Sequence, residues 1–214
     1  MLRKFFGRLK SDGERTRRAH TVSAITPSYN QAEFLSRCLQ SVREQTLRPM
    51  EHLVFDPGSK DRSREIADAA EGVTLVAEPD EGQADAVGRG MSRARGDVIA
   101  WLNSDDAYAD ASVFRRVVDR FNEPDQPDIV YGRGIYVDAN DQKTRDAYIN
   151  SDPDSLPHKL AHEVGVLQPA TFIRRSVIDA IGLPDVNLNF AMDYEFWIRA
   201  SLAGLRWAFL DSDL

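Results

Sequence analysis

Strand and helix signals alternate from His20 to Asp106, which places this chain among the α/β proteins, with a parallel sheet covered by helices on both faces. A second observation is the apolar run at residues 98–102, because buried parallel strands read as near-continuous apolar segments. The third is how that run ends. Asn103-Ser104-Asp105-Asp106 follows at once, and open α/β sheets bind ligands just beyond the carboxyl ends of their strands. With 214 residues, 42% hydrophobic and 29% charged, the chain can build one sizeable core of ordinary globular composition.

Residues 21–26 read as the first strand. A helix follows, with Phe34, Leu35, Cys38, Leu39 and Val42 on one face. Residues 51–56 form the second strand, and the short helix after it takes Ser59 or Asp61 as cap and buries Ile66, Ala69 and Ala70. Residues 73–77 are the third strand, 84–94 a helix and 97–102 the fourth strand. Beyond Asp106 the rhythm loosens. Val113, Phe114, Val117, Val118 and Phe121 mark an amphipathic helix stopped by Asn122-Glu123-Pro124. Residues 129–131 and 135–137 read as strands, the second closed by an Asp138-Ala139-Asn140-Asp141 turn. The Pro- and Asp-rich stretch 150–165 is expected to be a mobile connection, with 170–174 a late strand and 194–203 a helix. No internal repeat or low-complexity tract interrupts this layout.

The net charge of −7 is unevenly placed. Residues 1–20 carry a balance of +5, which leaves −12 for the remainder. An acidic body argues against nucleic acid as a partner, since phosphate backbones reward clustered Lys and Arg. The basic amphipathic start reads first as a solvated terminus and second as a segment for lying on an anionic membrane surface. Charges interrupt Leu2, Phe5, Phe6 and Leu9, so there is no secretory signal, and no run approaches the roughly 20 apolar residues a membrane helix needs. The single cysteine, Cys38, excludes an internal disulfide, fits a reducing compartment, and reads as a buried structural thiol.

Three polar clusters follow three of the expected parallel strands: Pro27-Ser28-Tyr29-Asn30, Asp56-Pro57-Gly58-Ser59 and Asn103-Ser104-Asp105-Asp106. Each alone is good turn chemistry. In a parallel sheet, however, they share one edge and can line one crevice. There Asp56 can accept a hydrogen bond from an imide or amide N–H of a base, and Tyr29 can stack on that base. Two adjacent carboxylates repel each other, and a hard divalent cation carrying a diphosphate would offset that repulsion. A lone acidic pair is more commonly a solvated loop or a helix cap. No G-x-G-x-x-G follows the first strand and no G-x-x-x-x-G-K-[ST] occurs, so dinucleotide-binding and P-loop classes lose their support. His158 and His162 have i, i+4 spacing beside Glu163 but no further ligand at a fitting distance in sequence, and read as a solvated helix or loop.

Six segments in order carry a resemblance. They are Thr26-Pro27-Ser28-Tyr29-Asn30-Gln31, Asp56-Pro57-Gly58-Ser59-Lys60-Asp61 and Glu78-Pro79-Asp80-Glu81-Gly82-Gln83-Ala84-Asp85-Ala86. The others are residues 101–108, Gln168-Pro169-Ala170-Thr171-Phe172 and Ala191-Met192-Asp193-Tyr194-Glu195-Phe196-Trp197. Over roughly residues 20–210 the chain resembles family 2 glycosyltransferases of the GT-A fold, the inverting, nucleotide-sugar-dependent type of bacterial surface polysaccharide synthesis. The resemblance implies a Rossmann-like, mostly parallel mixed sheet. It implies a single domain at 20–214, behind a basic segment 1–19, with a nucleotide-binding half at 20–106 and an acceptor-side half at 107–214. The donor would be a nucleoside-diphosphate sugar (a UDP-sugar favoured), and the acceptor a saccharide or lipid-linked hydroxyl. The setting would be cytoplasmic, with residues 1–18 as a peripheral contact to the inner membrane face.

Residue by residue, Asp105 matches the metal-binding Asp of the family's D-x-D motif, with Mn²⁺ or Mg²⁺ as cofactor. Asn103 stands at the first position of that motif, where Asp is usual. Asp106 lies behind Asp105, and Pro27, Tyr29 and Asn30 border the nucleoside. Many relatives carry a second Asp where this chain has Pro57, so Asp56 would have to read the base. Gln83 and Asp85 resemble the loop that closes on the nucleotide, and Gly88 replaces a frequent Asn. Asp193 matches the catalytic base, although Met192 replaces the Glu that often precedes it. Asp193 also suits the N-cap of helix 194–203, a compatible role. Asn103, Pro57, Gly88 and Met192 keep open a nucleotide-sugar-binding protein that has lost catalysis. A nucleotidyltransferase is a third reading, disfavoured because no Gly-rich phosphate loop follows the first strand. The chain stops soon after Trp207-Ala208-Phe209-Leu210, where relatives often continue, which reads as a shortened acceptor region.

Overall fold

The computed structural model describes residues 20–138, 140–188 and 190–214. The basic segment and its expected membrane contact lie outside the described residues, as does Ala139 in the turn after residue 138. In chain order the elements are β1 (Val22–Pro27), α1 (Ala32–Arg43), β2 (Glu51–Phe55), α2 (Ser63–Ala69), β3 (Val73–Val76), α3 (Gln83–Arg93), β4 (Val98–Trp101) and α4 (Val113–Phe121). Then come β5 (Ile129–Arg133), β6 (Ile135–Val137), β7 (Lys143–Asp146), α5 (Leu156–Lys159), a 3₁₀ turn (Gln168–Ala170), β8 (Thr171–Arg174), α6 (Ser176–Ile181), α7 (Met192–Leu202) and β9 (Trp207–Asp213).

Seven strands form one sheet in the order β3-β2-β1-β4-β8-β5-β9, and β6 pairs with β7 as a separate antiparallel ribbon. Within the larger sheet β8 alone runs against its neighbours β4 and β5. The strand order reverses at β1. Its successors β2 and β3 are laid down on one side, while β4 joins it on the other. Such a reversal leaves the loops after β1 and β4 diverging above the carboxyl edge, where open α/β sheets bind ligands.

Side chains that alternate along each strand feed two cores, because successive Cβ atoms point to opposite faces. Ile25, Ile99, Trp101, Ile129, Tyr131 and Ile173 join the face covered by α3 and α7. Val22, Ala24, Val98, Ala100, Val130 and Phe172 join the face covered by α1 and α4. Helix α3 packs close to the sheet because it carries Gly90. A Cβ there would collide with the side chain of Ile25 and press on Phe55. Helix α7 is held by a chain of edge-on aromatic contacts, Trp197 on Trp207 at 5.8 Å and Trp207 on Tyr131 at 5.9 Å.

Several local expectations change. Phe34 is 39% exposed rather than part of the α1 core face, which Leu35, Cys38, Leu39 and Val42 make. In α2 the buried alanine is Ala67, while Ala69 is exposed. That helix has Arg62 at its cap position, and Asp61 serves its start by accepting from the Ser63 N–H at 2.9 Å. The stretch 150–165 contains α5 instead of being wholly irregular. Helix α7 begins at Met192 with Ala191 as cap, so Asp193 sits inside the first turn and is not the cap. Strand β7, helix α6 and strand β9 lie outside the elements that the sequence predicts. Cys38 is buried as expected, and burial pushes its thiol up to about 12. Among the described residues no helix is long and apolar enough to cross a membrane.

His52 lies wholly inside the sheet and bonds Thr26 Oγ1 through Nε2 at 2.9 Å. Burial lowers it from 6.5 to about 4. As pH falls below 6.5 the unfolded chain gains a proton that folded His52 refuses until about pH 4, so this contribution to stability is lost across that window. The loss should total about 3 kcal/mol. Denaturant midpoints measured between pH 6.5 and 4 should show a flatter decline for His52→Gln than for the wild type; equal slopes would contradict the account.

Candidate active site

Loops that follow β1, β2, β3 and β4 surround a crevice of about 850 Å³, within the range of small-molecule sites. Its lining is apolar at Pro27, Phe55 and Ala86 and polar at Ser28, Lys60, Asp80, Asn103, Ser104 and Asp105. Among the described lining residues Lys60 is the one cation.

The loop after β2 is shaped by its own carboxylate. Asp56 Oδ1 accepts from the N–H groups of Gly58 at 2.9 Å and Ser59 at 2.7 Å, and Oδ2 accepts from Ser59 Oγ at 2.6 Å. Gly58 permits this tight turn because it takes φ +132°, where a side chain would be strained. Asp56 is 1% exposed and lies beneath the crevice rather than on its wall. This loop is latched to the one after β1. The Asn30 N–H donates to Ser59 Oγ at 2.8 Å, and Asn30 Oδ1 accepts from the Lys60 N–H at 2.8 Å. Asn30 adopts a left-handed φ of 54°, which Asn tolerates better than most residues. Its neighbour Tyr29 stands 57% exposed at the crevice rim, where a planar ring can lie on it.

On the β4 side the Asn103 carboxamide ties three segments together. Its Oδ1 accepts from Gln83 Nε2 at 2.8 Å and from Trp101 Nε1 at 2.9 Å. Its Nδ2 donates to Gln168 Oε1 at 2.9 Å, and Gln168 Nε2 donates in turn to the Trp101 carbonyl at 2.6 Å. The start of α3, the end of β4 and the 3₁₀ turn before β8 are thus joined through one side chain. Asp105 beyond it is exposed and lines the crevice. Asp106 is half-buried; burial and then the Asp105 charge raise its carboxyl to about 6. Asp85, in the first turn of α3, accepts from the Glu81 N–H at 3.1 Å and faces Arg89 at 3.9 Å.

The structure therefore places Pro27, Tyr29, Gln83, Asn103 and Asp105 on the crevice wall. Asn30, Asp56 and Asp85 hydrogen-bond within the surrounding loops and Asp106 is half-buried next to Asp105; none of the four is among the lining residues. Asp193 is half-buried at the start of α7, where its Oδ1 accepts from the Tyr194 N–H at 2.8 Å; it is not among the lining residues. Gln168, Asp80 and Lys60 lie in the quoted segments, but nothing local distinguished them. Gln168 meets Asn103 across 65 residues of chain. Among the described residues no group of three or more His, Cys, Asp or Glu side chains is spaced to hold a metal ion. The donors that fit one are the exposed Asp105 carboxylate with Asp106 at its side, a sparse set of the kind Mg²⁺ completes with phosphate oxygens.

A mostly parallel sheet with a polar crevice at its reversal point defines an α/β nucleotide-binding architecture of the GT-A type. Three solved chains share it. Staphylococcus aureus TarS aligns with TM-score 0.74 at 18% identity over 90% of this chain and 35% of its own. A TarS 1–349 complex with UDP-GlcNAc aligns at 0.73, with 17% identity over 90% of this chain and 56% of its own. The mannosyltransferase PcManGT from Pyrobaculum calidifontis, in complex with GDP-Man and Mn²⁺, aligns at 0.67, with 18% identity over 92% of this chain and 56% of its own. Residues 23–182 match the family model described as glycosyl transferase family 2, and the chain belongs to that family. Among curated relatives, an uncharacterized glycosyltransferase of Mycobacterium tuberculosis is 32% identical over 86% of this chain and 70% of its own length. A PGL/p-HBAD biosynthesis glycosyltransferase of Mycobacterium bovis is 30% identical over 85% and 70%. The chain spans between a third and three-fifths of the solved chains it matches.

Asn103→Asp would set a carboxylate oxygen against Gln168 Oε1, and rotating Gln168 would only move the clash to the Trp101 carbonyl. Leaving such groups unpaired costs about 1–3 kcal/mol. In chelator-containing buffer the melting temperature should fall by roughly 2–10 °C, as read by scanning calorimetry; no fall would mean that the four-residue network does not hold the site.

Proposed function

We propose that this protein is a metal-dependent, inverting glycosyltransferase that moves a sugar from a nucleoside diphosphate to an acceptor hydroxyl in polysaccharide or glycolipid synthesis. The observation that carries this reading is the crevice at the β1/β4 reversal, with an exposed carboxylate on one wall and a lysine on another. Pro27 and Tyr29 border the nucleoside, and the Asn30 latch keeps the two loops around it in register. Gln83 and Asp85 hold the start of α3 against the crevice through Asn103 and the Glu81 N–H.

Asp105, with Asp106 behind it, holds the divalent cation, Mn²⁺ or Mg²⁺. When bound, that ion neutralises charge developing on the departing diphosphate. Asp193 takes the proton from the acceptor hydroxyl as it attacks the anomeric carbon opposite the leaving group. Placement in the first turn of α7 fixes the backbone that carries this carboxylate. The nucleotide-binding half is 20–106 and the acceptor half 107–214. The enzyme works in the cytoplasm on a saccharide or lipid-linked acceptor, with residues 1–18 drawing it to the anionic inner face of the membrane. One observation favours a second reading, binding without transfer: every polar atom of the Asn103 carboxamide is engaged within the protein, leaving Asp105 and Asp106 as donors to the ion.

Two substitutions test the assigned roles. Asp193→Asn should lower turnover about 10²- to 10⁴-fold while nucleotide affinity persists; unchanged turnover removes Asp193 as the base. Asp105→Ala should abolish the Mn²⁺-dependent part of nucleotide affinity. Calorimetry giving the wild type equal affinity with and without Mn²⁺ would end the metal role.

A further inference from the structure

If the crevice seats a nucleoside diphosphate, as just proposed, the base lies at one end of it and the diphosphate at the other. The topology separates the two ends. Asn103 and Asp105 follow β4, whereas Pro57, Gly58 and Asp80 follow β2 and β3, on the far side of β1. Asp105 thus marks the diphosphate end, and the base end needs an acceptor of its own.

Asp56 cannot supply it, being 1% exposed with both oxygens taken by its own loop. Pro57 lines the crevice beside it without a polar side chain. Asp80 remains. It is half-buried on the crevice wall, and its Oδ1 accepts from the Gly82 N–H at 3.0 Å. Among the described residues its Oδ2 accepts nothing. Burial raises its carboxyl above the ordinary aspartate value, with the Asp85 and Asp56 charges adding to that and the Gly82 N–H and Arg89 opposing it.

We infer that Asp80 reads the donor base, accepting one ring N–H through Oδ2, and so selects uracil or thymine. These bases present a single imide N–H flanked by carbonyls, which matches one free carboxylate oxygen. Guanine presents two adjacent donors and is best met by two free oxygens, one of which Gly82 occupies. Cytosine turns a ring lone pair toward the same place, and two facing acceptors repel.

Calorimetric titration of the full chain with UDP, dTDP, GDP and CDP, at constant Mn²⁺, tests this with Asp80→Asn and Asp80→Ala. The wild type should favour UDP or dTDP over CDP and GDP by about 10- to 100-fold. Asp80→Asn keeps an oxygen for the Gly82 N–H and turns an amino group to the base. UDP binding should fall about 10- to 100-fold while CDP binding rises. Asp80→Ala should bring UDP, dTDP and CDP within about threefold of one another, since the polar contact that separates these pyrimidines is gone while stacking on Tyr29 is common to them. Wild-type preference for GDP or CDP, or an unchanged UDP-to-CDP ratio in Asp80→Asn, overturns the assignment of Asp80 and leaves the donor crevice standing. Failure of every nucleotide to bind the wild type removes the donor crevice itself.

Discussion

The reversal of strand order at β1 is the constraint from which the crevice follows. With β2 on one flank and β4 on the other, the loops leaving these strands must part, and the space between them opens at the carboxyl edge. Two sets of side-chain hydrogen bonds then keep that opening in shape. The Asp56 and Asn30 bonds fasten the first two loops to each other. The Asn103 carboxamide fastens the third side to α3 and to the turn before β8. Two clasps on opposite banks leave the gap between them free for a ligand.

Asn103 also shows how a departure from a family motif can be absorbed. An amide has a donor as well as an acceptor, and here the donor side is what Gln168 requires. A carboxylate at the same place would have no proton to give. The side chain thus fits its neighbours as Asn, and the exposed Asp105 two residues further on is left facing the crevice.

The βα rhythm up to Asp106 was legible because each element carries its own periodic apolar pattern. The shared edge of three polar clusters followed from that rhythm. What escaped was non-local. Strand β7 is Lys143-Thr144-Arg145-Asp146, wholly exposed and without apolar alternation, so only pairing with β6 makes it a strand. The antiparallel sense of β8 is set by its partners β4 and β5, which lie far from it in sequence. Phe34 matched the helical period of α1 but sits at the margin of its stripe. Gln168 and Asp80 were visible as residue types, yet their roles depend on what the folded chain brings opposite them.

Cys38, on the inner face of α1, lies against Thr26 and 3.4 Å from the Asn103 carbonyl, sealed between that helix and the paired strands β1 and β4. With its thiol at about 12, almost none is thiolate near neutrality. A maleimide or similar alkylating reagent must therefore wait until that layer parts. Since no other sulfhydryl competes, the pace of labelling becomes a clock for breathing of the layer between α1 and the sheet, readable by mass without any introduced probe.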